Sequence, residues 1–283
     1  MRARLAAIAV PFAVAAGCHA IAGIGDVTLS TVEDTSPETS PETSPETSPE
    51  TLADSLTDTA KEAPCPSGRG PNMIRVATEA GSYCIDQTEV TEVEFALYLL
   101  TPVPPTLPAR CATVSIAKPE SWTSRGSGYP RAYVNWCHAW SFCAWAGKRL
   151  CGAIGGGKPT PTAASEWTWA CSQGASSTYP YGNSFVDDRC ATSYADGGAA
   201  EIPHKAREKK DCRGTIAPFT ELYDMSGNLL EWTAGCDDTD ERSLCGVAGG
   251  SFYDRGLEVA CSAGGARELG DNLPGIGIRC CAD

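Results

Sequence analysis

The chain has 283 residues, 42% of them hydrophobic and 20% charged, a length that allows one or two domains. Its 35 acidic and 22 basic residues leave a net charge of −13, which excludes nucleic-acid backbone binding because that requires a cationic surface. Fifteen cysteines point to an oxidising compartment, and three histidines, His19, His138 and His204, are too few for a site built on several imidazole ligands.

Arg2 and Arg4 precede an apolar stretch from Leu5 to Ala16, which is too short to cross about 30 Å of hydrocarbon but suits the core of a signal peptide. It ends in Val14-Ala15-Ala16-Gly17-Cys18, which resembles the lipobox of bacterial lipoprotein precursors, with Ala15 where leucine is usual. Residues 1–17 are therefore expected to be removed and Cys18 to be lipidated, attaching the protein to a membrane through its acyl chains. Losing Cys18 from the thiol count leaves fourteen, an even number that can pair completely. Residues 18–63 read as a tether. Ser-Pro-Glu-Thr occurs four times from Ser36 to Thr51, and the stretch from Gly25 to Ala63 has no aromatic residue, so it cannot bury enough apolar surface to offset its ordering entropy. Pro37, Pro41, Pro45 and Pro49 favour an extended spacer.

Residues 64–283 are expected to form one compact domain. Thr91-Glu92-Val93-Glu94 is a capping box, followed by Val93, Ala96, Leu97 and Leu100 at helical spacing. A second helix starts near Asn135, carries Trp136, Trp140 and Cys143, and ends before Gly147; a short third follows Pro161 and Thr162 with Trp167 and Cys171. Short apolar runs such as Met73 to Val76 and Ile276 to Ile278 lie among Gly-, Pro- and Ser-rich connections, giving an irregular α+β domain with long loops that disulfides must hold.

Several segments in order then resemble one family. They are Tyr83 to Thr91, Ala144 to Leu150, Ser165-Glu166-Trp167, Tyr179 to Asn183, Leu222 to Trp232, Gly249-Gly250-Ser251-Phe252 and Gly275 to Cys280. Together they resemble the formylglycine-generating enzyme, or sulfatase-modifying factor, family over the whole 64–283 domain. The resemblance implies a C-type-lectin-like α+β fold with little regular secondary structure, rich in disulfides, among them Cys171–Cys261 and Cys143–Cys280. Cys236–Cys245 and Cys190–Cys212 are suggested by proximity in the sequence alone.

Family members that convert a sulfatase cysteine to formylglycine bind copper(I) through two cysteines after the Gly-Gly-Ser-aromatic turn. Here Phe252 to Ala260 contains no cysteine, so copper is not expected. A second catalytic branch uses non-haem iron held by clustered histidines, which this chain does not supply. The resemblance further implies calcium at the Gly227-Asn228-Leu229-Leu230-Glu231 loop, with Asn228 and Glu231 as side-chain ligands, against the alternative of a buried hydrogen-bonded turn. A second family calcium site is lost at Ala191, which brings no side-chain oxygen. Trp232 and Ser251 match pocket-lining positions, with a place in the core the alternative for Trp232. Asp237, Asp238, Asp240 and Glu241 are read as an exposed loop closed by a disulfide, and Lys205, Arg207, Lys209 and Lys210 as a solvated basic run.

The function expected from sequence is a non-catalytic binding or structural module in an extracytoplasmic lipoprotein of the bacterial envelope, with the outer membrane preferred. Its partner is an envelope protein or ligand that the sequence does not identify, and its oligomeric state is open. The alternative is a formylglycine-generating-type oxidase acting on a cysteine of sulfatases or of a divergent substrate.

Overall fold

The computed structural model describes residues 63–101, 105–117, 124–156, 165–193, 202–237 and 242–283. The chain divides into two units, Met1–Asp58 and Thr59–Asp283, and every described residue lies in the second. The signal segment, Cys18, His19, the Ser-Pro-Glu-Thr tract, Pro161 and Thr162 lie outside the described residues.

Two four-stranded sheets and three helices carry the described architecture. In the first sheet β1 (Met73–Thr78) and β2 (Gly81–Asp86) form a hairpin, and the order continues through β8 (Cys280–Ala282) to β3 (Arg149–Leu150). The second sheet has the order β6 (Gly264–Glu268), β5 (Leu244–Ala248), β4 (Leu230–Cys236), β7 (Ile276–Gly277), with β4 and β7 parallel and the other pairs antiparallel.

The helices begin where local chemistry satisfies their first N–H groups. In α1 (Glu92–Leu99) the Thr91 hydroxyl accepts from Glu94 N and the Glu94 carboxylate accepts from Thr91 N, a complete capping box. In α2 (Trp136–Trp145) Asn135 accepts from His138 N, and in α3 (Glu166–Cys171) Ser165 caps Thr168 N. His138 is buried, its Nδ1 accepting from Asn135 N and its Nε2 facing Ala117 O, and burial lowers its pKa.

One helix face differs from the sequence pattern. Val93, Leu97 and Leu100 are 47%, 55% and 79% exposed, while Glu92, Phe95 and Tyr98 are buried. The aromatic side chains decide this orientation: Phe95 stacks on Phe142 of α2 at 6.0 Å, and Tyr98 meets both Phe142 and Trp145 edge-on. Glu92 is accommodated because Ser124 Oγ and the N–H groups of Arg125 and Gly126 donate to its carboxylate.

Seven disulfides take up all fourteen cysteines from Cys65 onward. The neighbours Cys280 and Cys281 on β8 bridge to Cys143 at the end of α2 and to Cys151 just after β3, across 137 and 130 residues. Links of that span each remove about 4–5 kcal/mol of denatured-state chain entropy. Cys171 joins Cys261, Cys190 joins Cys212 and Cys236 joins Cys245, and Cys65–Cys84 and Cys111–Cys137 complete the set.

Candidate functional site

After β5 the chain turns through Gly249-Gly250-Ser251-Phe252. Gly250 has φ +67°, and a Cβ built there would lie 2.3 Å from the carbonyl oxygen of Glu258, so only glycine fits. Beyond the turn, Asp254 reaches back: its Oδ2 accepts from both the N–H and the hydroxyl of Ser251, each at 2.8 Å. Phe252 N donates to Asn228 O, and Gly227 N to Gly249 O, tying this turn to the loop before β4.

A cleft of about 430 Å³ opens beside the turn, its walls including Leu230, Val247, Gly250, Asp254, Glu258 and Arg267. Leu257 stands on its rim and is 76% exposed. The two residues matched to family pocket positions lie elsewhere: Trp232 is wholly buried in the core with its Nε1 donating to Val134 O at 2.8 Å, and Ser251 is turned onto Asp254 and 3% exposed. A second depression, of about 500 Å³, lies by the first sheet, where Arg149 is already held by Glu166 and Asp283.

Beneath the turn lies a buried polar network that the sequence pattern did not assign. Arg279 Nε donates to both oxygens of Glu231, at 3.0 and 2.8 Å, its Nη1 to Asp86 O and its Nη2 to Tyr223 O. Trp167 Nε1 also donates to Glu231. Glu89 accepts from Asn228 Nδ2 at 2.6 Å and from Leu229 N at 2.9 Å, while Asp224 accepts from Arg207 N. Glu89, Asp224, Glu231 and Arg279 are all at most 2% exposed. Burial, with the neighbouring Asp224 and Glu231 charges, holds Glu89 well above the usual carboxylate range. Burial likewise pushes Asp224 up to about 7, opposed by the hydrogen bond from Arg207. Next to them Asp86 forms a fully buried pair with Lys148 at 2.6 Å, and burial takes Asp86 up to about 6.

That network bears on calcium. Both oxygens of Glu231 are committed to Arg279 and Trp167, and Asn228 Oδ1 accepts from His204 N at 2.9 Å. Hard-cation ligation needs convergent free oxygens, so these two side chains do not fit a Ca²⁺ as they stand. Among the described residues no group of three His, Cys, Asp or Glu side chains is placed to hold a metal ion. Ala191 contributes its carbonyl to Asn228 N.

The basic run lies at the surface, with three of its four side chains partnered. Lys209 pairs with Asp188, Arg207 stacks on Tyr223 with its guanidinium 4.9 Å from the ring, and Lys205 lies over Tyr129. His204 is partly exposed, 3.4 Å from Glu208. Asp237 accepts from Leu244 N; Asp238, Asp240 and Glu241 lie outside the described residues. Glu89, Asp224 and Arg279 sit inside the resembling segments, each a charged residue beside an apolar one, and Arg279 is the one charged residue of Gly275 to Cys280. That is the signal by which the network could have been found.

The chain is 31% identical over 181 residues to the inactive C-alpha-formylglycine-generating enzyme 2 of Bos taurus, covering 58% of this chain and 54% of that protein. It is 32% identical over 124 residues to the formylglycine-generating enzyme of Bos taurus, covering 41% and 29%. The chain thus spans about half or less of the length of these curated relatives. A solved structure of PvdO from Pseudomonas aeruginosa superposes with a TM-score of 0.49 at 19% identity, over 73% of this chain and 82% of that one. Residues 62–283 match the sulfatase-modifying factor enzyme 1-like domain, and the chain therefore belongs to the formylglycine-generating enzyme, or sulfatase-modifying factor, family.

Proposed function

We propose that this is an extracytoplasmic protein, lipid-anchored at Cys18, whose sulfatase-modifying-factor domain binds a partner or ligand of the cell envelope and does not perform copper-dependent oxidation. The observation that carries the reading is the state of the thiols. All fourteen cysteines of the domain are in disulfides, and the segment after the Gly249-Gly250-Ser251-Phe252 turn presents Asp254, locked onto Ser251. Copper(I) favours a soft thiolate pair, and a carboxylate is a hard, poorly matched substitute. Support also comes from relatives named as inactive formylglycine-generating enzymes in Bos taurus and Mus musculus, although active namesakes match as well. The cleft beside Asp254 is the surface this reading offers to a partner.

The test is thiol titration of the exported, denatured and unreduced protein, together with copper(I) titration and oxygen uptake in the presence of a cysteine-containing sulfatase-motif peptide. The binding reading expects at most one free thiol, no stoichiometric copper binding and no uptake. Two or more thiols with tight one-to-one copper binding and turnover would establish the oxidase alternative. Radiolabelled palmitate tests the anchor: label should enter the wild-type chain and be absent from Cys18→Ser.

A further inference from the structure

Among the described residues strand β6 is the outer strand of the second sheet and pairs on one side only, with β5. The register sets which of its backbone groups are used. Gly249 N donates to Ala263 O and Leu269 N donates to Ser243 O, so residues 263, 265, 267 and 269 face β5. By the alternation of an antiparallel ladder, the N–H and C=O groups of Gly264, Ala266 and Glu268 point away from the sheet. Of these, the carbonyl of Ala266 is covered by its neighbour's Arg267 Nη1 at 2.9 Å, and that of Glu268 accepts from Asp271 N in the following turn. No bond between described residues engages the N–H groups of Gly264, Ala266 and Glu268 or the carbonyl of Gly264. Gly264, Gly265, Ala266 and Glu268 are exposed, and the strand has no proline or bulge to protect its edge, its charges being one of each sign, Arg267 and Glu268.

We propose that two copies of this chain join through β6, antiparallel about a two-fold axis at Ala266, making one continuous sheet across the pair. An edge strand offers alternating donors and acceptors about 6.8 Å apart, a spacing that another extended backbone matches. The sequence of this edge complements itself. Ala266 meets its own counterpart, Gly264 lies opposite the partner copy's Glu268, and Gly265 lies opposite the partner copy's Arg267. Each bulky charged residue therefore faces a glycine, and no pair of like charges stands directly opposed. Roughly four backbone hydrogen bonds result, two between the facing Ala266 residues and two from Glu268 N to the partner copy's Gly264 O, since Glu268 O stays with Asp271 N.

Charge favours the same register. Gly265 sits between two residues that line the 430 Å³ cleft, Gly264 and Arg267, and pairs with a third, Val247. The partner copy's Arg267, crossing Gly265, arrives at the mouth of a cleft lined by Asp254 and Glu258. Pairing also replaces the contact of Arg267 with Ala266 O by a backbone N–H, which frees that guanidinium to make the crossing.

The test is sedimentation velocity on the full chain carrying Cys18→Ser, which removes the lipid and the one cysteine outside the domain's disulfides, over about 1–100 µM. A Cβ at Gly265 meets only Arg267 Nη1, at 3.6 Å, so this position accepts a side chain. Gly265→Lys places a lysine opposite the partner copy's Arg267 twice per dimer and should weaken association at least about tenfold, whereas Gly265→Glu should tighten it. Ala266→Pro deletes an outward N–H without touching the β5 ladder and should abolish the dimer. Circular dichroism and thermal melts of all three establish folding, and if Ala266→Pro does not fold, the opposite responses of the two Gly265 variants decide the matter. A monomer at every concentration, or a dimer indifferent to the sign of the charge at 265, overturns the proposal.

Discussion

Replacing Arg279 by methionine keeps most of the side chain's length and removes the guanidinium that holds the buried network together. Arg279 and Glu231 have side-chain exposures of 0% and 1% and meet at 2.8 Å, and Arg279 also donates to the carbonyls of Asp86 and Tyr223. Without it, Glu231 keeps, among the described residues, only Trp167 as a donor, close to two other buried carboxylates, Glu89 and Asp224. Stranding one member of a buried pair costs about 3–5 kcal/mol, and for a domain of this size each kcal/mol shifts Tm by about 2–4 °C. Arg279→Met should therefore lower Tm by about 6–20 °C at neutral pH with all disulfides intact. Arg255→Met is the control: its bridge to Asp187 is 35% and 54% exposed, and an exposed pair of this kind contributes at most about 1 kcal/mol. The double variant Arg279→Met/Glu231→Gln should regain part of the loss, because it removes the stranded charge along with its partner. The assay is thermal and denaturant unfolding of the four proteins in parallel. If Arg279→Met loses no more than Arg255→Met, the buried pair is not what the fold depends on.

The carboxylates predict a pH dependence. Glu89 is raised, Asp224 reaches about 7 and Asp86 about 6, so the folded protein binds protons that the unfolded chain releases near pH 4. The stability these groups contribute is complete below about pH 4 and lost as pH rises through their folded values. The denaturant midpoint should accordingly fall between pH 5 and pH 8, and Glu89→Gln/Asp224→Asn should flatten the slope; a midpoint that rises over this range contradicts the assignment. Because Glu231 and Asn228 are committed to protein partners, adding EDTA or millimolar Ca²⁺ should move Tm by less than about 1 °C, and a calcium-dependent rise of several degrees would show that the loop opens to the ion. Gly250→Ala forces a Cβ to 2.3 Å from Glu258 O at φ +67°, and should cost more than about 3 kcal/mol, read as soluble yield and Tm.

Helix starts were legible because their signals are local: the Thr91–Glu94 box and the Asn135 cap are closed within three residues of chain, whatever packs around them. The motif segments carried the family and the low content of regular structure in the same way, each being a contiguous run. The face of α1 was not legible. Val93, Leu97 and Leu100 look like a core stripe by spacing, but Phe95 and Tyr98 bury more area against Phe142 and Trp145, a contact that exists only once α2 is docked. The site divides along the same line. Asn228 and Glu231 stand out in the sequence as oxygen-bearing side chains in a glycine turn, and what those oxygens touch is set by Glu89, 139 residues from Asn228, and Arg279, 48 residues from Glu231. Trp232 could equally have walled a pocket or filled a core until Val134 took its N–H. Short-range hydrogen bonds, turn chemistry and thiol parity belong to the sequence, because their partners are neighbours or their logic is a count. Which carboxylates share a buried guanidinium, and which strand is left at an edge, is fixed only by tertiary structure, since burial and Coulomb contact depend on distances in space that sequence separation does not encode.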